Sequence, residues 1–319
     1  MEKPLVSAVV VAYNKAGVLA DSIRSVLRQT YRPLEVLVVD DGSTDTTPQV
    51  VRSFGDRVRY LRKENGGEGS ARNLGIREAR APWVAFLDGD DLWLPHKLEV
   101  QMGVCERARD LLAVQCSAYC VNDRLEVIEA RSCVPARDRL LDFLLFNNLP
   151  AFASTLVAQR DVLLRLGGFG EDLVILSDWD MACRLARAGT LRSVPDFLVL
   201  YRHYPGNRSR NVEIHIRPGV RSLARLFAAP NLDPWLRKRE PQVWARFYAM
   251  LAGGYARNRN WRGALAWSWK ALWTSPAVVP YLAGMPLRRL MHRLRPPPRI
   301  SFCDIMEPVC RAPKLPRAT

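Results

Sequence analysis

Trp83-Val84-Ala85-Phe86-Leu87-Asp88-Gly89-Asp90-Asp91-Leu92-Trp93 decides how the rest of the chain is read. Trp83 to Leu87 is an apolar run without alternation, as in a strand buried on both faces. Three carboxylates follow within four positions. Like charges set that close repel one another and need a compensating cation or full hydration. Asp88 and Asp90 are two apart, so in extended geometry both point the same way, and Gly89 between them lets the backbone turn. Such a pair suits a hard divalent ion held by oxygen and still open to substrate phosphates. The competing reading is a solvated strand-to-helix turn, with Asp91 near a helix N-terminus. An EF-hand fails: counted from Asp88, the fifth and sixth loop positions are Leu92 and Trp93, where an oxygen ligand and a Gly are required.

Working back towards the N-terminus, Leu5 to Ala12 is a second continuous apolar run, ended by Tyr13-Asn14-Lys15. Residues 17–29 carry Leu19, Ile23, Val26 and Leu27 at helical spacing. Leu34 to Val39 predicts another buried strand, and it also ends in carboxylates, Asp40-Asp41-Gly42-Ser43-Thr44-Asp45. A helix starts near Thr46 or Thr47, with Ser43, Thr44 and Asp45 available as caps. Arg57 to Leu61 reads as a strand, 63–69 as a loop and Ser70 to Ala79 as a helix. This alternation implies an α/β fold, a mostly parallel sheet flanked by helices, with ligands at the carboxyl ends of the strands. Two strands ending in Asp pairs would then share one rim.

Beyond Asp91 the alternation loosens. Helices are expected over Pro95 to Ala108, Arg139 to Phe146, Arg160 to Leu166 and Ser177 to Arg187. Strands are expected over Leu111 to Ala118, Leu125 to Ile128, Ser154 to Ala158 and Leu191 to Tyr201, the last interrupted by Pro195. Gly167-Gly168 and Gly189 supply helix stops. A third acidic cluster, Asp178-Trp179-Asp180, opens the helix at Ser177. Carboxylates there usually act as caps, but two of them flanking a Trp just after Gly-Gly-Phe favour a functional role. From about residue 211 the pattern is helical with an Arg-rich polar face, read as solvated, and Pro296-Pro297-Pro298 begins a basic tail expected to be disordered or loosely docked.

The 319 residues allow one large domain with an appendage, and an apolar fraction of 48% is ordinary for a globular protein. The net charge of +15 is unevenly spread. Residues 1–200 hold 25 basic and 27 acidic side chains, residues 201–319 hold 22 and 5, and that last third also has six of the nine Trp residues. Cations mixed with Trp suit an anionic membrane surface through 211–319. Nucleic acid ranks behind it, because no helix-turn-helix, zinc-finger or RNA-binding signature accompanies the charge. The seven Cys include no C-x-x-C pair and read as buried thiols of a reducing cytoplasm. Met1-Glu2-Lys3-Pro4 runs straight into a strand pattern, so no leader is expected. Ala264 to Leu287 contains Lys270, Pro276 and Pro280, which points to an interfacial segment or a soluble helix pair rather than a span. The expected location is the cytoplasm, with a peripheral position on the cytoplasmic face of the membrane.

Three acidic clusters match the needs of sugar transfer from a nucleotide diphosphate. A cation neutralises the leaving diphosphate, a carboxylate accepts hydrogen bonds from base or ribose, and another removes the acceptor proton. A P-loop is absent, and Gly67-x-Gly69 lacks the third Gly of the dinucleotide fingerprint, since Arg72 stands there. Arg72 is read as a contact to phosphate, a partner of a rim Asp, or a helix-surface arginine.

Four stretches, Val6 to Asn14, Leu37 to Asp45, Glu64 to Gly75 and Phe86 to Asp91, resemble in order and spacing the inverting glycosyltransferases of family 2, which have the GT-A fold. A weaker likeness runs through Gly167-Gly168-Phe169 and Asp178-Trp179-Asp180 to Tyr201-Arg202. The resemblance implies a GT-A domain over 1–210, with 1–100 binding the nucleotide-sugar and 101–210 forming the acceptor side. A helical region at 211–295 and the tail 296–319 lie outside it. It implies a nucleotide-diphosphate-sugar donor, a glycan or lipid-linked acceptor, and Mg2+ or Mn2+. Donor contacts would come from Ala12, Tyr13, Asn14, Asp40, Asp41, Asn65, Gly66, Arg72, Asp88 and Gly89. The metal would fall to Asp88 and Asp90, and the base to Asp178, with Asp180 as the alternative. Two departures stand out. Ser177 occupies the place of a family Glu, and Tyr201-Arg202-His203-Tyr204-Pro205-Gly206 sets the family His one position early, so His203 either takes its metal role through a local shift or the role is missing.

Overall fold

The computed structural model describes residues 5–108, 110–133, 139–145, 152–173, 175–203 and 211–284. Strands β1 (Val6–Ala12), β2 (Leu34–Asp40), β3 (Arg59–Arg62) and β4 (Trp83–Asp88) pair in parallel in the order β3-β2-β1-β4. Every residue of β1 is buried, which explains its unbroken apolar run. The crossovers are α1 (Leu19–Leu27), α2 (Thr47–Arg52) and α3 (Gly67–Glu78). The last starts three residues earlier than the sequence pattern implies.

Past β4 the sheet becomes mixed. Strand β5 (Leu92–Trp93) and helix α4 (Lys97–Arg107) lead to β6 (Leu111–Val121) and β7 (Val127–Arg131), which pair antiparallel. Helices α5 (Arg139–Leu144), α6 (Phe152–Thr155), α7 (Arg160–Arg165) and α8 (Ser177–Ala188) alternate with β8 (Val157–Gln159) and β9 (Thr190–Arg202). Among the described residues this gives one nine-stranded sheet continuing β4-β8-β6-β9-β5, with β7 on β6. Strand β8 runs antiparallel to β4 and to β6, whereas β9 is parallel to β6.

Three details depart from the sequence reading. The strand expected at Ser154 to Ala158 is divided, since Phe152–Thr155 is helical and pairing starts at Val157. The carbonyls of Ser154 and Thr155 are taken by the Trp93 Nε1 (2.8 Å) and Gln101 Nε2 (2.9 Å) donors instead of a ladder. Strand β5 was not anticipated, because two residues carry no periodic signal. At Pro195 the strand continues through a bulge: Cys116 faces Val194 and Ser117 faces Phe197, leaving Pro195 and Asp196 outside the pairing.

Alternating strand residues feed two core layers. Val9, Val11, Val39 and Phe86 pack with α3, α5, α7 and α8, while Val10, Val38 and Leu87 pack with α1, α2 and α4. Helices α9 (Ile216–Phe227), α10 (Pro234–Arg237), α11 (Glu240–Arg257) and α12 (Trp261–Thr274) follow. Leu223 and Phe227 of α9 and Phe247 of α11 extend the first layer. The Arg-rich face is not wholly solvated, since Arg221 and Arg225 both bind Asp172 (3.0 and 2.6 Å) and Arg246 is buried over the Tyr281 ring. Cys105, Cys116, Cys120, Cys133 and Cys183 are buried free thiols, and burial pushes the Cys116 thiol up to about 12. Cys303, Cys310, Phe146 and the basic tail 296–319 lie outside the described residues. No described helix is long and apolar enough to cross a membrane.

Lys97 is a cost inside the second layer. It is fully buried, its Nζ lies 4.1 Å from the Trp93 ring centroid, and it donates to Gln101 Oε1 at 2.7 Å with no carboxylate partner among its described contacts. Burial lowers its pKa from 10.5 to about 8. The folded state therefore binds fewer protons between those pH values. The penalty is complete below pH 8 and fades as pH rises towards 10.5. Lys97→Met is expected to stabilise the fold at neutral pH by up to about 3 kcal/mol, with the gap closing in alkaline buffer. Urea unfolding of both proteins across that range checks this, and a gap independent of pH contradicts it.

Candidate active site

Strand register brings the first two acidic clusters together. Ala12 at the end of β1 pairs with Asp40 on one side, and Val11 pairs with Asp88 on the other. The following residues close onto the same strand end: the Asp41 N–H donates to the Ala12 carbonyl (2.9 Å) and the Gly89 N–H to the Val11 carbonyl (2.8 Å). A Cβ at Gly89 would stand 2.8 Å from that Val11 oxygen, so only Gly permits this approach. The shared rim expected from the sequence is present.

The first cluster builds the surrounding loops. Asp40 is fully buried and accepts from the Tyr60 hydroxyl (2.7 Å) and the Ser43 N–H (2.8 Å), with the Arg62 guanidinium 3.7 Å away. Burial and this carboxylate push the Tyr60 hydroxyl up to about 12. Asp41 accepts from Lys63 Nζ (2.9 Å) and from the N–H groups of Gly66 (3.0 Å) and Gly67 (2.8 Å). Asn65 donates to the Asp41 carbonyl at 3.0 Å. Asn14 takes the left-handed conformation (φ 52°), receives the Thr44 N–H on its Oδ1 (2.8 Å) and donates its own N–H to Ser43 Oγ (2.9 Å). Ala12 is buried, whereas Tyr13 is exposed.

In the second cluster the three carboxylates separate by environment. Asp88 binds Arg72 Nη2 at 2.6 Å and keeps a third of its side chain open. Asp90 pairs with Lys15 Nζ, and its carbonyl accepts from Arg202 Nε (3.0 Å). Asp91 is fully buried, accepting from Ser154 Oγ (2.6 Å) and the Arg202 N–H (3.0 Å). Burial, reinforced by Asp90 and Asp88, raises its pKa well above the usual carboxylate range. The reading of Asp91 as a solvated helix-start charge is overturned, since α4 begins only at Lys97 and Asp91 anchors the turn to β9.

Arg72 joins this rim to the third cluster. At 2% exposure it is not a surface arginine; it pairs with a rim Asp, Asp88, and reaches Glu68 and Ser177 Oγ, each at 3.5 Å. Its guanidinium lies 5.4 Å from the Phe169 ring centroid, and its Nε has no acceptor among the described residues. Neighbouring Asn73 holds the Gly-Gly-Phe turn by donating to the Phe169 carbonyl (2.9 Å) and accepting the Phe169 N–H (2.7 Å). Leu176, before α8, is left-handed (φ 67°), a strained conformation for a branched apolar residue. Asp178 follows in the first turn, half-buried and accepting the Trp179 N–H (2.8 Å). Burial raises its pKa, nearby Asp88 adds to the rise, and Arg72 opposes it. Asp180 has both oxygens engaged, by Arg184 (2.6 Å) and the Ser222 hydroxyl (2.7 Å).

A family model described as Glycosyl transferase family 2 matches residues 7–165. The succinoglycan biosynthesis protein ExoO of Rhizobium meliloti is 38% identical over 325 residues, covering 91% of this chain and 87% of that protein. The chain belongs to glycosyl transferase family 2. Within the family, the Escherichia coli UDP-Glc:alpha-D-GlcNAc-diphosphoundecaprenol beta-1,3-glucosyltransferase is 42% identical over 106 residues, 33% of this chain and 42% of that one. This chain spans 60% or less of the length of the Rickettsia glycosyltransferases it matches. Among solved structures, a mannosyltransferase from Pyrobaculum calidifontis in complex with GDP-Man and Mn2+ superposes with a TM-score of 0.58 at 20% identity. The match covers 92% of this chain and 83% of that one, a likeness of fold.

In this family 2 chain no three His, Cys, Asp or Glu side chains gather into a metal-holding group among the described residues, so Asp88, Asp90 and His203 do not form one. His203 follows β9 and donates its N–H to the Val121 carbonyl (2.7 Å). Tyr204-Pro205-Gly206 lie outside the described residues. Asp88 and Asp90, partly open hard-oxygen donors, fit Mg2+ or Mn2+ without a third side chain, because Mg2+ in particular keeps several waters and takes one or two carboxylates plus phosphates. Sequence reasoning gave no site role to Lys15, Lys63, Ser154 or Arg202, which meet the acidic clusters from distant parts of the chain, and it placed Asp91, quoted within the fourth stretch, at a helix start instead of at the buried turn to β9.

Arg72→Met would leave Asp88 without its nearest cation. We expect a loss of about 3–5 kcal/mol of stability in urea unfolding. A loss below roughly 1 kcal/mol, the range of exposed pairs, would show that the arginine does not hold the clusters together.

Proposed function

We propose that this chain transfers a hexose from a nucleoside-diphosphate sugar to a hydroxyl of a glycan or lipid-linked glycan, with inversion and with help from a divalent cation. The observation that carries this reading is the line from Asp88 through Arg72 to the start of α8 and Asp178. It puts a donor-side carboxylate and a candidate base under the influence of one buried guanidinium.

Asp88 and Asp90 would hold Mg2+ or Mn2+, which when bound supplies positive charge to the leaving diphosphate. The nucleotide would lie across the β1–β2 rim, against Ala12, Tyr13, Asn14, Asp40, Asp41, Asn65 and Gly66. Asp41 shapes this surface, since its carboxylate fixes the backbone of Gly66 and Gly67. Asp178 takes the proton from the acceptor hydroxyl as the oxygen attacks the anomeric carbon opposite the leaving group. Its raised pKa favours that exchange, because a carboxylate reluctant to stay ionised is a stronger base. Asp180 suits the role less, because its oxygens are committed to Arg184 and Ser222. The GDP-Man and Mn2+ of the archaeal structure, and the lipid diphosphate in the name of the E. coli relative, are consistent with a diphosphate donor and a lipid-linked acceptor.

A second reading, a nucleotide-sugar binder without transferase activity, follows from Ser177 in the place of a family Glu, where its hydroxyl meets Arg72 at 3.5 Å. Donor hydrolysis or transfer by the purified protein separates the two, and complete inactivity towards a panel of donors it binds would favour the binder.

Asp178→Asn is expected to lower kcat by about 10²–10⁴-fold while donor affinity stays near wild type. Near-normal turnover would reassign the base. The base must be ionised, so the acid limb of kcat/KM should lie above the usual carboxylate value of about 3.9. A limb at that ordinary value contradicts the raised pKa. Proton NMR of the first product should show the anomeric configuration opposite to the donor's, and retention would overturn inversion.

A further inference from the structure

Helix α12 reverses the usual arrangement of a surface helix. The residues it buries are small: Ala264 and Ala271, the latter packed with Ala245 and Ala249 of α11. Gly263 lies so close to Tyr255 that a Cβ would fall 2.6 Å from the ring. Trp267 packs on Tyr248 and Leu272 on the alanine cluster, but the other large side chains are turned outward. Trp261, Leu265, Trp269 and Trp273, spaced by four, are 60, 71, 67 and 82% exposed. That spacing lays them along one broad face, and the rings of Trp269 and Trp273 stack at 6.2 Å. Scattered exposed apolar residues need no explanation, but a contiguous stripe of three tryptophans and a leucine marks a contact surface.

Along the chain on either side of the stripe the charge has one sign. Between Glu240 and Asp304 the sequence contains no acidic residue. Arg257, Arg259, Arg262 and Lys270 are exposed on and beside the α11–α12 hairpin. The hairpin is also firmly seated on the domain. Gly219 of α9 admits the Phe247 ring of α11 where any Cβ would lie 2.3 Å from it, and Ser222 of α9 binds Asp180 of α8. A surface that held α12 would hold the α8 end of the candidate active site with it.

We propose that this face of α12 is an interfacial anchor that seats in the headgroup region of an anionic phospholipid bilayer. Indole rings favour that boundary, and flanking cations favour anionic headgroups. Fourteen residues are too few to span a bilayer but enough to lie in its plane. A second copy of the chain is the poorer occupant, since an isologous contact would press Arg259, Arg262 and Lys270 against their own equivalents with no carboxylate between them. The anchor does not depend on the reaction proposed above. Its benefit, presenting the site to acceptors carried on lipid, does rest on that reading.

The test is flotation of the full chain with vesicles of phosphatidylcholine alone and of phosphatidylcholine mixed with phosphatidylglycerol. Trp269→Ser/Trp273→Ser serves as the variant, checked for fold by circular dichroism. The wild type should float with the mixed vesicles, its tryptophan emission should shift to shorter wavelength, and the variant should lose at least roughly fivefold of the binding and most of the shift. Equal flotation of both proteins, no flotation of the wild type, or equal binding to phosphatidylcholine alone would overturn the proposal. So would a dimer in light scattering that the double substitution makes monomeric, which would assign the stripe to a second copy. Tryptophans shielded from acrylamide before any vesicle is added would assign it to residues 285–319. These are binding measurements, so their failure leaves the transferase reading to be judged on turnover.

Discussion

Carboxylates massed at one end of a parallel sheet constrain everything else in this molecule. Asp40 and Asp88 flank the end of β1, with Asp41, Asp90 and Asp91 beside them and Asp178 within reach of the same field. Left alone, such a group would repel itself and resist burial. The chain answers with cations from elsewhere in the sequence: Lys63 for Asp41, Lys15 for Asp90 and Arg72 for Asp88. Arg72 matters most, because it is buried and touches two of the three clusters. Its burial makes the pairing interdependent: desolvation alone would weaken the charged guanidinium, and the carboxylates around it reverse that.

The remaining acidic residues are sorted by how much water they keep. Asp88 and Asp90 retain some exposure, and in the proposed reading they exchange a side-chain cation for a bound one. Asp91 keeps none, and serves to fasten the turn after β4 to Ser154 and β9. Asp180 is absorbed by Arg184 and Ser222, which ties α8 to α9, while Asp178 is left partly open beside Arg72. Neighbouring residues of one chemical type thus divide into members committed to structural partners and members left partly open. The division comes from partners far away in sequence, which spacing within a motif cannot reveal.

This accounts for what could be read from the sequence. The strands β1, β2 and β4 are unbroken apolar runs because both their faces are covered, and their carboxylate ends announce the rim. The parallel half of the sheet and the placement of Asp40 and Asp88 were therefore legible. Strand β5 was too short to carry a pattern, and Ser154 was mistaken for a strand residue because its carbonyl is claimed by Trp93 rather than by a ladder. Lys15 and Ser154 lie outside any signature, so their pairing with Asp90 and Asp91 required the fold. Arg72 could be named as a candidate, but only its burial distinguishes an ion-pair centre from a surface arginine. In α12 composition marked a stretch suited to an interface, but only the fold shows that Trp261, Trp269 and Trp273 face outward while Trp267 and the alanines fill the packing.

The central claim is that Asp88 and Asp90 present a cation site to the diphosphate of a nucleotide-sugar. Calorimetric titration of UDP- and GDP-sugars, with Mn2+ and then in excess chelator, tests it most directly. The account predicts that Mn2+ strengthens binding at least roughly tenfold, about 1.4 kcal/mol, and that Asp88→Asn/Asp90→Asn abolishes this linkage while residual nucleotide binding survives. Donor affinity that is the same with and without the cation, or a linkage that persists in the double variant, would contradict it.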